Sequence, residues 1–231
     1  MSFSAQRTTE ELNLFNSYTT DEMNAVLARA DKTLWLFDQG AIEAHVCRGP
    51  LLAWVGFRTG LRVSEACRLQ LEDFDFKRMT ILVWRHKKRA KHDPDAAPAP
   101  YVRYAGATRS RIALALDLAG RIHAIAERLG RWTGPIFLTR TGTGASRQAV
   151  MWSWRRFALT LPLDYHSSHA LRHTFATEIG ERSNDSIFAV NDALGHERSS
   201  IDISAQYVTR NPRKLRSLME SFSIDPENAA G

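Results

Sequence analysis

Ser168-His169-Ala170-Leu171-Arg172-His173-Thr174-Phe175-Ala176-Thr177 is the stretch on which the reading of this chain turns. Wound into a helix, it sets His169 and Arg172 three residues apart on one face and His173 four from His169, while Leu171 and Phe175 point elsewhere, toward a core. One helix thus aims an imidazole and a guanidinium at a single target. Arginine offers a planar, permanently charged fork that matches two phosphate oxygens, and a neighbouring imidazole can donate to a third oxygen or accept a proton. That pairing suits a phosphodiester. Standing alone, the same residues also describe an amphipathic helix with a surface arginine and histidine.

Working outward, residues 41–58 are mostly apolar with helical recurrence (Ile42, Val46, Leu51, Trp54, Val55). Thr59-Gly60 closes that helix and Leu61-Arg62-Val63-Ser64-Glu65-Ala66 opens another, which leaves Arg62 at a turn between two helices. Nearer the start, Thr19 or Thr20 caps a helix with Asp21 and Glu22 in its first turn, expected to reach about Ala30. Met79–Trp84 is β-rich, and Arg109–Leu116 alternates polar with apolar residues, so the two are expected to pair as a hairpin. Its connection carries Asp93-Pro94-Asp95 and Pro98-Ala99-Pro100 and is expected to be an extended loop rather than a tight turn. Residues 117–130 read as a helix and Pro135–Leu138 as a short strand. Ser146 caps a Trp-rich helix whose tryptophans (Trp152, Trp154) read as core, and further helices are expected at 168–181, 185–194 and 211–222. The fold class is α+β, mainly α-helical with a small antiparallel hairpin.

The 231 residues are enough for one large core, and 44% hydrophobic with 24% charged residues is a globular composition. The net charge of +6 favours a polyanionic partner. Eight basic residues (Arg85, Lys87, Lys88, Arg89, Lys91, Arg103, Arg109, Arg111) face two acidic ones between Arg85 and Arg111, and this cluster is expected to follow a DNA backbone without reading its sequence. Arg147, Arg155 and Arg156 around the Trp-rich helix are either further groove or phosphate contacts or solvated helix charges. There is no apolar run of the ~18 residues that cross a bilayer, and no secretion signal at the start, so a cytosolic protein is expected. Cys47 and Cys67 lie in apolar stretches and read as two buried free thiols. Neither a zinc-like ligand spacing nor a phosphate-cradling glycine loop occurs, and Thr141-Gly142-Thr143-Gly144 reads as a plain turn, so no metal or nucleotide cofactor is expected.

Thr59-Gly60-Leu61-Arg62-Val63-Ser64-Glu65, His169-Ala170-Leu171-Arg172-His173, Leu194-Gly195-His196 and Gln206-Tyr207-Val208 stand in the same order as the signatures of tyrosine recombinases. The chain resembles the catalytic domain of that phage-integrase family over residues 17–222. The resemblance implies a DNA strand transesterase in which Tyr207 is the nucleophile, Arg62 and Arg172 clamp the phosphate, His169 assists proton transfer and His196 hydrogen-bonds the phosphate. Tyr207 follows His196 at a slightly longer gap than is usual in the family, and it is the sole tyrosine downstream of it. In the family a hairpin lysine protonates the departing 5′-oxygen; here the position falls on Lys87 or Lys88, while Arg85, Arg89, Lys91, Arg109 and Arg111 would hold the duplex. Glu65 would orient the loop around Arg62, and His173 would pack or hydrogen-bond beneath the site.

By the same resemblance, double-stranded DNA is the partner and a homo-tetramer forms on it. The apolar stripe Leu215, Leu218, Met219 and Phe222 of a helix at 211–222 either docks on a neighbouring subunit or packs on its own domain. Residues 1–16 are read as a tail or linker remnant and 223–231 as a frayed end. Most relatives carry a DNA-clamping domain ahead of the catalytic one, so the chain resembles either a short single-domain recombinase of the fimbrial-invertase type or a piece of a longer integrase. Two rival functions are a regulator that binds DNA on the same fold without cutting it, and a metal-dependent nuclease, against which the lack of a carboxylate cluster argues.

Overall fold

The computed structural model describes residues 17–86, 107–184 and 186–194. The first helix, α1 (Thr20–Asp38), starts in a capping box: the Thr19 hydroxyl accepts the Glu22 N–H at 3.3 Å, and the Glu22 carboxylate accepts the Thr19 N–H at 2.7 Å. The helix runs past Ala30 because its buried stripe of Met23, Val26, Leu27 and Ala30 continues through Leu34 and Phe37. A 3-10 turn at Ala44–Cys47 leads into α2 (Arg48–Thr59), which is buried at every position except Arg48 and Arg58. Gly60 ends it in the left-handed conformation (φ 61°), and the four-residue α3 (Val63–Ala66) follows with Arg62 as its N-cap.

Among the described residues the sheet has three antiparallel strands in chain order: β1 (Phe74–Asp75), β2 (Thr80–His86) and β3 (Ala107–Ala113). The hairpin register pairs Ile81 with Ile112 and Val83 with Ser110, so alternate residues Ile81 and Val83 enter the core fully buried. The short β1 carries no signal of its own in the sequence, because two residues are too few to leave an alternating pattern.

Helices α4 (Leu116–Leu129) and α5 (Arg147–Ala158) complete the packing, and the Ser146 hydroxyl caps α5 by accepting the Ala149 N–H at 3.2 Å. Three elements are pinned by one polar cluster. The Arg121 guanidinium on α4 lies 3.4 Å from the centroid of the Trp54 ring on α2, and the Asp31 carboxylate on α1 accepts from both, at 2.6 and 2.7 Å from Arg121 and 2.9 Å from Trp54. The core beneath is built from Leu52, Val55, Ile81, Leu118, Ile122 and Trp154.

Three expectations need correction. Pro135–Leu138 is no ladder strand: it makes only the isolated bridges Gln70↔Pro135 and Leu138↔Gly144, and its apolar run reflects burial of Ile136, Phe137 and Leu138. Of the α5 tryptophans only Trp154 is core; Trp152 is 55% exposed, because residues two apart on a helix face nearly opposite ways. Cys47 is buried and Cys67 only half-buried just beyond α3, and both thiols are free.

The described chain divides into two compact units, Tyr18–Phe175 and a second to which the described residues from Ala176 onward belong. Helix α6 (His169–Arg182) begins in the first and ends in the second. Within the second unit, Asn184 takes a left-handed backbone (φ 52°) and the Ser186 hydroxyl accepts the Ala189 N–H at the start of α7 (Ile187–Leu194), where Val190 and Leu194 are buried. Among the described residues no helix is long and apolar enough to cross a membrane.

Candidate active site

Arg62 owes its place to the end of α2. The Thr59 hydroxyl donates to the Val55 carbonyl at 2.5 Å and accepts the Leu61 N–H at 3.3 Å, and Gly60 reverses the chain at a φ that a side chain would strain. Arg62 then caps α3. Its N–H donates to Glu65 Oε2 at 2.9 Å, and its Nη1 approaches Glu65 Oε1 at 3.3 Å. The Glu65 side chain is only 5% exposed while that of Arg62 is 49% exposed, so a buried carboxylate holds a guanidinium whose rim meets solvent.

The other half of the site is the first turn of α6. Arg172 is almost fully buried, and its Nη1 donates to the Gly60 carbonyl, which ties the helix to the same turn that presents Arg62. His169 is exposed at the surface, with its ring edge-on to that of the half-buried His173 at 4.6 Å between centroids. The Thr174 hydroxyl donates to the Ala170 carbonyl and accepts the Tyr18 N–H, both at 2.9 Å, and the Trp154 indole donates to the His166 carbonyl at 3.1 Å just ahead of the helix.

The electrostatics follow from this assembly. Partial burial, then the Arg172 and Arg62 guanidiniums, lower the His169 pKa below the ordinary imidazole value. Burial, then His169 and Arg172, push His173 down to about 4. At neutral pH both imidazoles are therefore uncharged beside two permanent cations. A neutral imidazole can accept a proton, and two guanidiniums attract an anion whose negative charge grows during reaction. Among the described residues there is no cluster of metal-ligating side chains.

The structure brings together Arg62, Glu65, His169, Arg172 and His173. Arg111 lies on β3, 53% exposed, with its guanidinium 3.3 Å from the Thr80 hydroxyl and 3.8 Å from the Asp75 carboxylate. Arg85 and Arg109 occupy the hairpin strands, opposite Thr108 and Trp84 in the register. Lys87, Lys88, Arg89, Lys91, Arg103, His196, Tyr207 and the helix expected at 211–222 lie outside the described residues. Arg147, Arg155 and Arg156 are exposed on α5, where Arg155 lies 5.7 Å from the Trp152 ring.

Sequence reasoning missed the parts that position rather than react. The Gly60 carbonyl serves Arg172 across 112 positions of chain, a pairing no local pattern announces, although Thr59-Gly60 is legible as a helix stop. Gly56 is the other: a Cβ built there would lie 2.9 Å from Leu171 Cδ1 and 3.1 Å from Leu171 Cβ, so its bare backbone is what lets α6 approach α2.

A mainly helical domain with a small antiparallel sheet thus carries two arginines and a neutral histidine at one helix–turn junction. Residues 17–213 match the phage integrase family, and the chain belongs to it. Tyrosine recombinase XerD of Mycobacterium tuberculosis (strain CDC 1551 / Oshkosh) is 33% identical over 147 residues, covering 61% of this chain and 41% of that protein. Tyrosine recombinase XerC of Bacillus pumilus (strain SAFR-032) is 31% identical over 176 residues, covering 69% of this chain and 52% of its own length. The chain thus spans about half the length of these relatives. Among solved structures, XerA recombinase superposes with a TM-score of 0.61 at 19% identity, covering 90% of this chain and 63% of that one. XerH site-specific recombinase, bound to palindromic difH substrate in a post-cleavage complex, gives 0.60 at 20% identity, covering 92% and 55%. At such identities the structural likeness establishes the fold.

Proposed function

We propose that this protein is a tyrosine-type site-specific DNA recombinase, with residues 17–222 as its catalytic domain. Arg62 and Arg172 bind the non-bridging oxygens of one backbone phosphate and stabilise the charge that gathers there in the transition state. Tyr207 attacks the phosphorus, its proton passing to His169, and forms a 3′-phosphotyrosyl bond as the P–O bond to the 5′-oxygen breaks. Lys87 or Lys88 protonates that oxygen, and His196 donates a hydrogen bond to the phosphate. A phenol, with pKa near 10, leaves more readily than an alkoxide, so an incoming 5′-hydroxyl reverses the step and no nucleotide is consumed. The observation that carries this reading is the junction of Arg62, His169 and Arg172 around the Gly60 turn, with the imidazole held neutral.

Double-stranded DNA is the partner, a reading supported by the XerH site-specific recombinase bound to palindromic difH substrate and by a lambda integrase dimer bound to a COC' core site. Arg85, Arg89, Lys91, Arg109 and Arg111 grip the duplex backbone. A homo-tetramer assembles on the DNA with the segment 211–222 as subunit contact, and the protein works in the cytoplasm at the nucleoid.

A nicked suicide duplex tests this by denaturing gel. Wild type should form a covalent adduct that EDTA does not diminish, Tyr207→Phe should form none, and Arg172→Ala should form it about a hundredfold more slowly, as when an oxyanion donor is lost. An adduct that persists in Tyr207→Phe removes that nucleophile. Retained DNA binding with no adduct in wild type identifies a regulator on a recombinase fold instead.

A further inference from the structure

Gly56 touches no reacting group in the mechanism above, and it sits one turn before the Gly60 that anchors Arg172. Both glycines face the same short piece of α6. Gly60, through its carbonyl, fixes Arg172, and Gly56 accepts Leu171, the residue directly before Arg172. Leu171 is 1% exposed, and while its terminal methyl can rotate, its Cβ, 3.1 Å from the position of a Gly56 Cβ, moves only with the helix backbone. Any side chain at position 56 is therefore answered by α6 itself.

We propose that Gly56 is a positioning residue of the active site: the absence of a side chain there sets how closely the His169/Arg172 turn of α6 seats against the Arg62 turn. The proposal rests on the recombinase reading for its effect on rate, but its geometric part stands apart from it. With Ala at position 56 the contacts of 2.9 and 3.1 Å must lengthen by a few tenths of an ångström. Arg172 travels with His169 on the same helix; Arg62, fixed by Glu65 on α3, does not. The seat thus controls the spacing between the two guanidiniums and between His169 and Arg62.

Among the described residues, the groups that face His169 are Arg172 and His173 on its own helix and Arg62 from the adjoining turn. Lifting the helix weakens the Arg62 repulsion and uncovers the part of the ring that is still buried, and both changes raise its pKa. NMR titration of the His169 ring in the DNA-free protein reads this directly, beside the single-turnover rate of adduct formation on the suicide duplex. Wild type, Gly56→Ala and the double variant Gly56→Ala/Leu171→Ala are compared, since shortening Leu171 makes room for the new methyl. Gly56→Ala is expected to raise the His169 pKa toward the ordinary value and to slow adduct formation about tenfold, with DNA affinity unchanged, because sub-ångström misplacement acts on geometry more than on binding. The double variant is expected to recover both.

A folded Gly56→Ala whose His169 titrates as in wild type overturns the proposal, and so does a double variant that recovers neither readout. If Gly56→Ala does not fold, a folded double variant with wild-type His169 titration supports the seat, and an unfolded one overturns it. A shifted titration with no adduct from wild type would reject the recombinase reading while keeping the seat; equal rates and titrations with adduct present would do the reverse.

Discussion

At the scale of single residues, two imidazoles whose pKa values are lowered in the fold make its stability depend on pH. His173 is held at a pKa of about 4 in the folded protein, below the ordinary imidazole value of about 6.5 that applies once the chain unfolds. Between those two values the unfolded chain binds a proton that the folded one refuses, so this residue's contribution is fully present above about pH 6.5 and is lost as pH falls toward 4. His169, also lowered, adds a change of the same sign. Replacing His173 by Gln removes one titrating group while keeping a polar side chain. Urea-unfolding midpoints measured from about pH 7 down to about pH 4.5 should fall more steeply for wild type than for His173→Gln. Parallel curves would mean that the ring is protonated as easily in the fold as outside it.

At the scale of elements, the most legible parts were those whose chemistry is local. The first cap, the Thr59-Gly60 stop and the Ser146 cap are each written within four residues; the structure puts the first at Thr19 rather than Thr20 and the other two where the sequence places them. The box at Thr19 therefore allows a sharp expectation: Thr19→Ala should lower unfolding stability by about 0.5–2 kcal/mol, the usual cost of a lost N-cap. A loss indistinguishable from zero in chemical denaturation would show that tertiary packing alone fixes the start of α1. Where a contact joins distant segments, sequence reasoning fell short. The Pro135–Leu138 run announces burial but not whether a ladder exists, and Trp152 announces a large apolar ring but not the helix face it takes. In the site itself, Arg62, His169 and Arg172 were legible as chemistry, whereas Gly56 and the Gly60 carbonyl act as backbone, and backbone leaves no residue-type signature.

At the scale of the molecule, charge is the property to argue from. The excess between Arg85 and Arg111, eight basic residues against two acidic, equals the formal net charge of the entire chain, +6, so the remaining residues are neutral in sum. A polyanion binding this protein is consequently expected to do so through one segment rather than through a diffuse positive surface. The members of that segment are not equivalent: Arg111 already has the Asp75 carboxylate within 3.8 Å, so it offers a phosphate less than an arginine without an acidic neighbour would. Each phosphate contact that releases condensed counterions steepens the dependence of log K on log salt by about 0.9 for B-form DNA. Exchanging Lys87, Lys88, Arg89 and Lys91 together for Ala should therefore flatten the slope by about 2–4 while weakening binding chiefly at low salt. Arg78→Ala, a charge of the same sign outside the segment and paired to Asp75 at 3.7 Å, serves as the control and should leave the slope where it was. Fluorescence anisotropy on one duplex across a salt series decides the matter. An unchanged slope in the fourfold variant would move the DNA-holding surface elsewhere, with the exposed arginines of α5 the next to test.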